Sequence, residues 1–155
     1  MQNLFLNKSS VLGTINKEGK PWSSEAPFVI FNNKAYIYIS PVADHYQNLV
    51  DNPNLTFMLV EDEATSNHIF VRQKVAFPAT AKELEQISTP IWHAFEQKHQ
   101  CDMLNIIKNL GFKMFEITLT TGRYVDENAV AFDVELVNDE WNIQCVIAKN
   151  IKTTE

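Results

Sequence analysis

Apolar residues fall in short alternating runs along most of the chain, the mark of half-buried strands separated by turn residues. Residues 9–16 predict a first strand with Val11 and Ile15 on one face. Lys17-Glu18-Gly19-Lys20 reads as a hairpin turn in which Gly19 is free to take positive φ. A second strand covers Pro21–Phe31, and Asn32-Asn33-Lys34 is a tight turn because Asn tolerates left-handed backbone. Residues 35–40, rich in aromatic and β-branched side chains, predict a third strand. A short helix follows Pro41, favoured by Asp44 in its first turn and stopped by Asn52-Pro53, with Leu49 and Val50 turned inward. Residues 55–60 are almost continuously apolar, which predicts a central strand covered on both faces. After the acidic turn Glu61-Asp62-Glu63, residues 67–82 predict one long strand with Ile69, Val71, Val75 and Phe77 as its apolar positions.

The spacing changes after Lys82. Pro90 stands at a helix start behind Ser88-Thr89, and Ile91, Trp92 and Phe95 recur at helical intervals. Asp102 caps a second helix carrying Met103, Leu104, Ile106, Ile107 and Leu110, with Gly111 beyond its end. Strands resume over residues 113–119, Thr120-Thr121-Gly122 turns the chain toward Arg123-Tyr124-Val125, and Val130, Phe132, Val134 and Leu136 alternate against Asp133 and Glu135. Asn138-Asp139 is a turn, residues 141–147 are a last strand, and residues 149–155 are a polar tail. The sum is a mainly β single domain over residues 1–155, its core spanning about residues 9–148. It is a small antiparallel barrel of six or more strands, with a short helix and a helical pair packed at its side.

Composition narrows the class. The chain is 45% hydrophobic and 21% charged, enough apolar material for one globular core. A formal net charge of -6 without a basic run argues against nucleic acid or an anionic membrane as partner. No apolar segment approaches the length of a membrane span and the start lacks a signal-peptide pattern, so a cytoplasmic protein is expected. Cys101 and Cys145 read as two partly buried thiols rather than a disulfide or a metal pair.

The densest chemistry lies at Arg72, Gln73 and Lys74. Three polar groups in mid-strand are costly to bury without a partner. A planar fork of donors, an amide and a point charge suit a phosphate or a polar heteroaromatic ring, and an exposed edge defended by charge is the alternative. Alternation puts Arg72 and Lys74 on one face and Gln73 on the other. His45, at a helix start, is placed to donate to a phosphate alongside free backbone N–H groups, and Ser40 adds a hydroxyl there. Trp92, Phe95 and Trp141 read as core. No nucleophile–base pair or paired carboxylate stands out, and His93 and His99 do not share a helix face, so no metal pair is expected.

Three blocks carry a family resemblance: LGTINKEGKPWSSEAPFVI, YISPVADHYQNLVDNPNLTFML and VRQKVAF. Their order and spacing, over about residues 9–137, resemble the pyridoxamine 5'-phosphate oxidase-like FMN-binding split barrels. Ser40, His45, Asn48 and Leu49, with VEDEATSNHIFVRQKVAF and LGFKMFEITLTTGRYV, are similar to the heme-utilisation (heme oxygenase-like) branch. The resemblance implies a homodimeric split barrel with its cofactor site at the subunit interface. It implies that Ser24, Ser40, His45, Arg72, Gln73 and Lys74 face the cofactor, His45 in the place of a phosphate-binding lysine. FMN is the expected cofactor and heme the alternative. The pattern departs in four places: no histidine follows His99, where the branch has a C-terminal iron ligand; Asp126-Glu127-Asn128 replaces a glycine-rich stretch; Gly111 replaces an acidic residue ahead of the next strand; and no arginine stands near Glu25. The expected function is an FMN-binding, flavin-dependent oxidoreductase in which the flavin carries the chemistry. The alternatives are a heme-binding or heme-degrading protein, and a cofactor-free binding protein on the same fold.

Overall fold

The computed structural model describes residues 1–146. A 3-10 stretch, Gln2–Leu6, leads into β1 (Ser9–Ile15), β2 (Pro21–Phe31) and β3 (Lys34–Ile39). Then come α1 (Asp44–Asp51), β4 (Asn54–Val60), β5 (Lys74–Glu83), α2 (Thr89–Lys98) and α3 (Asp102–Ile107). The chain continues through β6 (Lys113–Thr118), β7 (Thr121–Val125), β8 (Ala131–Val137) and β9 (Glu140–Cys145). The tight hairpins form where left-handed backbone is affordable sterically: Asn32 and Asn33 at φ 49 and 59, Asn138 and Asp139 at φ 51 and 64. Gly19 takes φ 75 in the first hairpin.

The strands run antiparallel in the order β4-β1-β2-β3-β6-β5, and β5 pairs back onto β4. Six strands thus close a barrel, and β7, β8 and β9 extend outside it. β5 is the junction. One edge pairs with β4 from Thr80 opposite Asn54 to Lys74 opposite Val60. The other edge is divided: Lys74–Ala76 pair with β7, and Thr80–Glu83 with β6. Pro78, which has no N–H to donate, falls in the gap between those two partners.

The barrel interior is filled by Leu12, Phe28, Ile37, Phe57, Leu59, Val75, Phe77 and Ile117, all fully buried. Phe28 and Phe57 meet edge to face at 5.3 Å. Each such side chain contributes about 1.5–3 kcal/mol relative to exposure. A second cluster lies on the outside of β2, β3 and β6, where Val29, Tyr36, Tyr38 and Met114 are covered by Phe95 of α2 and Leu104 of α3. The helical pair therefore shields one outer wall. The outer wall of β1, β4 and β5 has no helix over it and shows Val11, Met58, Val60, Ala76 and Pro78.

Several expectations need correction. Residues 67–82 are not one strand: Ile69–Val71 is a 3-10 turn, and Arg72 and Gln73 precede β5. The exposed Ile69 is not a core position, so its apolar character misled the pattern. β4 is covered on one face only, with Leu55, Phe57 and Leu59 inward and Thr56, Met58 and Val60 outward. β1 turns Ser10, Leu12 and Thr14 inward, the two hydroxyls donating to the Ala26 and Trp22 carbonyls. Val50 is exposed, while Leu49 packs into the core. Gly122 belongs to β7 rather than to a turn. Both cysteines are free and exposed rather than partly buried. Phe95 is buried, with Trp92 and Trp141 packed against the clusters as expected. The last strand ends at Cys145; Ile147 and the tail over residues 149–155 lie outside the described residues.

Candidate functional site

The expected site residues separate into two groups. The first gathers where α1 meets the turn end of the β1–β2 hairpin. Ser40 follows the end of β3, and its hydroxyl accepts the Val42 N–H at 3.4 Å, shaping the turn into α1. Ala43 is the N-cap, so the first N–H groups of α1 have no side-chain cap. His45, in the first turn, reaches back to β2, with Nδ1 at 2.9 Å from Ser24 Oγ. Asn48, three residues on, donates from Nδ2 to Thr14 Oγ1 at 3.0 Å. α1 is thereby bolted to the hairpin at two points.

His45 is half-buried, and burial pushes its pKa below the usual imidazole range, with neighbouring Asp44 pulling the other way. The ring is accordingly neutral near pH 7. Ser24 lies opposite Leu12, and alternation puts Trp22 on the same strand face as Ser24. Trp22 is 43% exposed and borders a cleft of about 250 Å³ between hairpin and helix, together with Asn16, Asp44, Gln47, Asn48 and Asp51.

The second group lies on the outer wall. Arg72 turns its guanidinium onto the Glu61 carbonyl, donating from Nε at 3.0 Å and also from Nη2. Gln73 donates its backbone N–H to the Glu61 carboxylate at 3.1 Å, its side-chain oxygen accepts from Tyr124 Oη at 2.9 Å, and its carbonyl accepts the Glu61 N–H at 2.8 Å. Arg72 and Gln73 find their partners within the chain, in Glu61 and Tyr124. Lys74 stands exposed at the start of β5. Arg72 also borders a larger cleft of about 520 Å³, with Lys8, Val11, Met58, Val60 and Asp62.

Within one chain the two groups do not meet. Ser24 shares the inward face of the hairpin, whereas the Arg72 cleft is walled by the outward Val11 and Met58. The structure brings Ser24 to His45, leaves Ser40 in the adjoining turn, and keeps Arg72, Gln73 and Lys74 apart from them. Sequence reasoning missed Glu61, Tyr124 and Thr14 as partners. Glu61 had a local signal, since it is the first residue of the acidic turn ahead of Arg72. Tyr124 is 51 residues from Gln73, and Thr14 is 34 from Asn48, so neither pairing leaves a local trace. No group of three or more metal-ligating side chains occurs among the described residues.

A closed antiparallel ring of six strands, helices on one wall and a polar cluster at the barrel end define a split-barrel protein. The family model described as pyridoxamine 5'-phosphate oxidase matches residues 4–126, and the chain belongs to that family. The heme oxygenase HutZ of Vibrio cholerae serotype O1 is 36% identical over 81 residues, which is 52% of this chain and 46% of HutZ. Among solved structures, Campylobacter jejuni ChuZ superposes with a TM-score of 0.84 at 29% identity, covering 99% of this chain and 63% of ChuZ. The chain thus spans less than two thirds of either relative's length. A pyridoxamine 5'-phosphate oxidase-related, FMN-binding protein from Nostoc punctiforme shares the fold, with a TM-score of 0.67, 9% identity and coverage of 94% of this chain and 90% of that one.

Proposed function

We propose that this chain is a heme-binding protein of the heme-utilisation type, acting as a homodimer in the cytoplasm. The observation that carries the choice of ligand is the contrast between the two polar groups. Arg72, the donor best suited to a phosphate, is turned onto a backbone carbonyl. His45 presents a neutral imidazole oriented by a hydroxyl. Neutral imidazole suits heme iron, whereas a phosphate calls for free cationic donors. HutZ, 36% identical over 81 residues, favours the same choice through its description as a heme oxygenase. The FMN-binding neighbour, at 9%, speaks for the fold alone.

The homodimer rests on the bare outer wall. Val11, Met58, Val60, Ala76 and Pro78 form a surface of small and apolar side chains with no helix covering it. A second copy seated there relieves the separation of the two groups, because residues on the outer wall of one subunit then face a neighbour. No helix among the described residues is long and apolar enough to cross a membrane.

FMN remains a second reading on one specific feature. The uncapped start of α1, with Ser40 and His45 beside it, leaves backbone N–H groups open to an anion. Titrating the full chain with hemin and, separately, with FMN tests both readings. A Soret band saturating at one hemin per subunit, with FMN fluorescence unquenched, is the expected result. Quenched flavin fluorescence without a Soret band overturns the heme reading in favour of FMN, and a blank in both overturns each and leaves the cofactor-free scaffold.

A further inference from the structure

We propose that the cleft between α1 and the turn of the β1–β2 hairpin binds a linear aliphatic diamine in its diammonium form. Asp44 and Asp51 take the two charges, Asn48 accepts an ammonium N–H, and Trp22 carries the stem. The site is separate from the residues on which the heme reading rests. The cleft measures about 250 Å³. Asp44 and Asp51 both border it and both are exposed. Seven residues apart, they lie two turns apart on one face of α1, about 10 Å along its axis. That is too far to share one small ion, and it suits a ligand with a cation at each end. Neither carboxylate forms an ion pair among the described residues. Asp51 accepts a hydrogen bond from the neutral Gln47 amide at 2.9 Å, which leaves it further lone pairs. Of the other charges in the wall, Glu18 is paired with Lys20 at 3.3 Å, and Lys17 is exposed on a long stem free to turn to water.

Asn48 points to a donor ligand independently of the carboxylates. Its side chain is only 6% exposed. The Thr14 hydroxyl gives its proton to the Trp22 carbonyl at 3.4 Å and so accepts from Asn48 Nδ2 at 3.0 Å. That chain of bonds fixes the amide and leaves Oδ1 with no hydrogen-bond partner among the described residues. No side-chain polar atom among them is both fully buried and unpartnered. The Oδ1 atom therefore opens on the cleft that Asn48 borders, as an acceptor awaiting an N–H. An ammonium supplies three such donors. Trp22 forms the facing wall, and its indole, 43% exposed, offers apolar area to a polymethylene stem and its face to a cation.

Isothermal titration calorimetry of the full chain with 1,5-diaminopentane dihydrochloride at pH 7 tests the site. Saturable binding at one diamine per subunit is expected, weakening as sodium chloride is raised. 1-Aminopentane, with one ammonium, is expected to bind about fivefold more weakly, and Asp51→Asn to weaken the diamine by a similar factor. Trp22→Leu is expected to weaken both amines by about threefold. Asp51 and Trp22 are exposed, and an unchanged far-ultraviolet circular dichroism spectrum keeps the comparison among folded proteins. Glu135→Gln, which removes an exposed carboxylate from β8, is expected to change nothing. Absence of saturable heat overturns the proposal, as does equal binding of the two amines. An equal loss in Glu135→Gln and Asp51→Asn overturns it too, by reducing the effect to the general pull of an acidic surface.

Discussion

Gly122 and Gly13 both lie in strands, yet their surroundings predict opposite responses to one added methyl. A Cβ on Gly122 would stand 2.6 Å from the Ala76 carbonyl oxygen and 2.6 Å from Phe77 Cδ1. Backbone cannot yield as a side-chain tip can, so Gly122→Ala is expected to destabilise by about 1–3 kcal/mol in urea unfolding. A Cβ on Gly13 meets Thr56 Cβ at an ordinary 3.5 Å. Gly13→Ala is expected to be neutral or to stabilise by up to about 1 kcal/mol, since glycine in a strand carries an entropic penalty. Lys98 makes a second residue-scale prediction. Its ammonium donates to the Phe5 carbonyl at 3.0 Å and lies 3.7 Å from the Phe28 ring centre, and burial pushes its pKa from 10.5 down to about 8. Between those values the unfolded chain holds a proton the folded chain has released, so stability rises with pH there and the gain is absent below about 8. Tyr36, pushed up to about 12 by burial and its hydrogen bond to Glu116, opposes this only above pH 10. Unfolding free energies measured from pH 8 to 10 are expected to climb in the wild type and to climb less in Lys98→Met. At this scale the sequence disclosed that Arg72 and Gln73 needed partners but not who supplies them. Glu61 meets Gln73 through its carboxylate, which the acidic turn hinted at, but meets Arg72 through its carbonyl, an atom every residue has, so that half of the pairing left no side-chain pattern.

Among the elements, α1 is the one whose position matters most, and Asn48 fixes it. This side chain is 6% exposed and its amide donates to the buried Thr14 hydroxyl. Asn48→Ala leaves that hydroxyl short of a partner in a dry contact and is expected to cost about 1–3 kcal/mol, read from chemical denaturation. The hairpins were legible because their turns need left-handed backbone and the chain supplies Asn, Asp or Gly there. The helical pair was legible because Phe95 and Leu104 recur at the right spacing to cover β2, β3 and β6. The segment before β5 was not. Ile69, Phe70 and Val71 have strand-like composition but occupy an exposed 3-10 turn, and hydrophobicity alone does not report burial. β4 failed for a related reason: its outward Met58 and Val60 are apolar because of the bare wall they line, not because a second layer covers them.

For the whole molecule, the bare wall makes the testable claim. Met58→Glu puts a charge at its centre and is expected to convert a dimer to a monomer in light scattering. Its unfolding free energy, measured on the monomer, is expected to stay within about 0.5 kcal/mol of the intrinsic subunit value, because the residue faces outward. An unchanged dimer would place the interface elsewhere. The barrel itself could be read from strand count, turn chemistry and motif order. The candidate site could be read only in pieces, since Ser24 meets His45 by virtue of α1 folding back over a hairpin 21 residues upstream. One feature of the topology also governs how the molecule breathes. The extension of β7, β8 and β9 joins the barrel's ladder by three residue pairs, Lys74 with Val125 through Ala76 with Arg123, and β9 pairs along one edge only. A closed ring yields its amides to deuterium only on global opening, whereas this flap has a short seam to unzip. Deuterium uptake should therefore run in two tiers, fast in β8 and β9 and slow in the ring. As the flap lifts, Trp141 leaves the Phe77 ring it rests against at 5.3 Å, so a protease will find its first cut there, long before the barrel gives way.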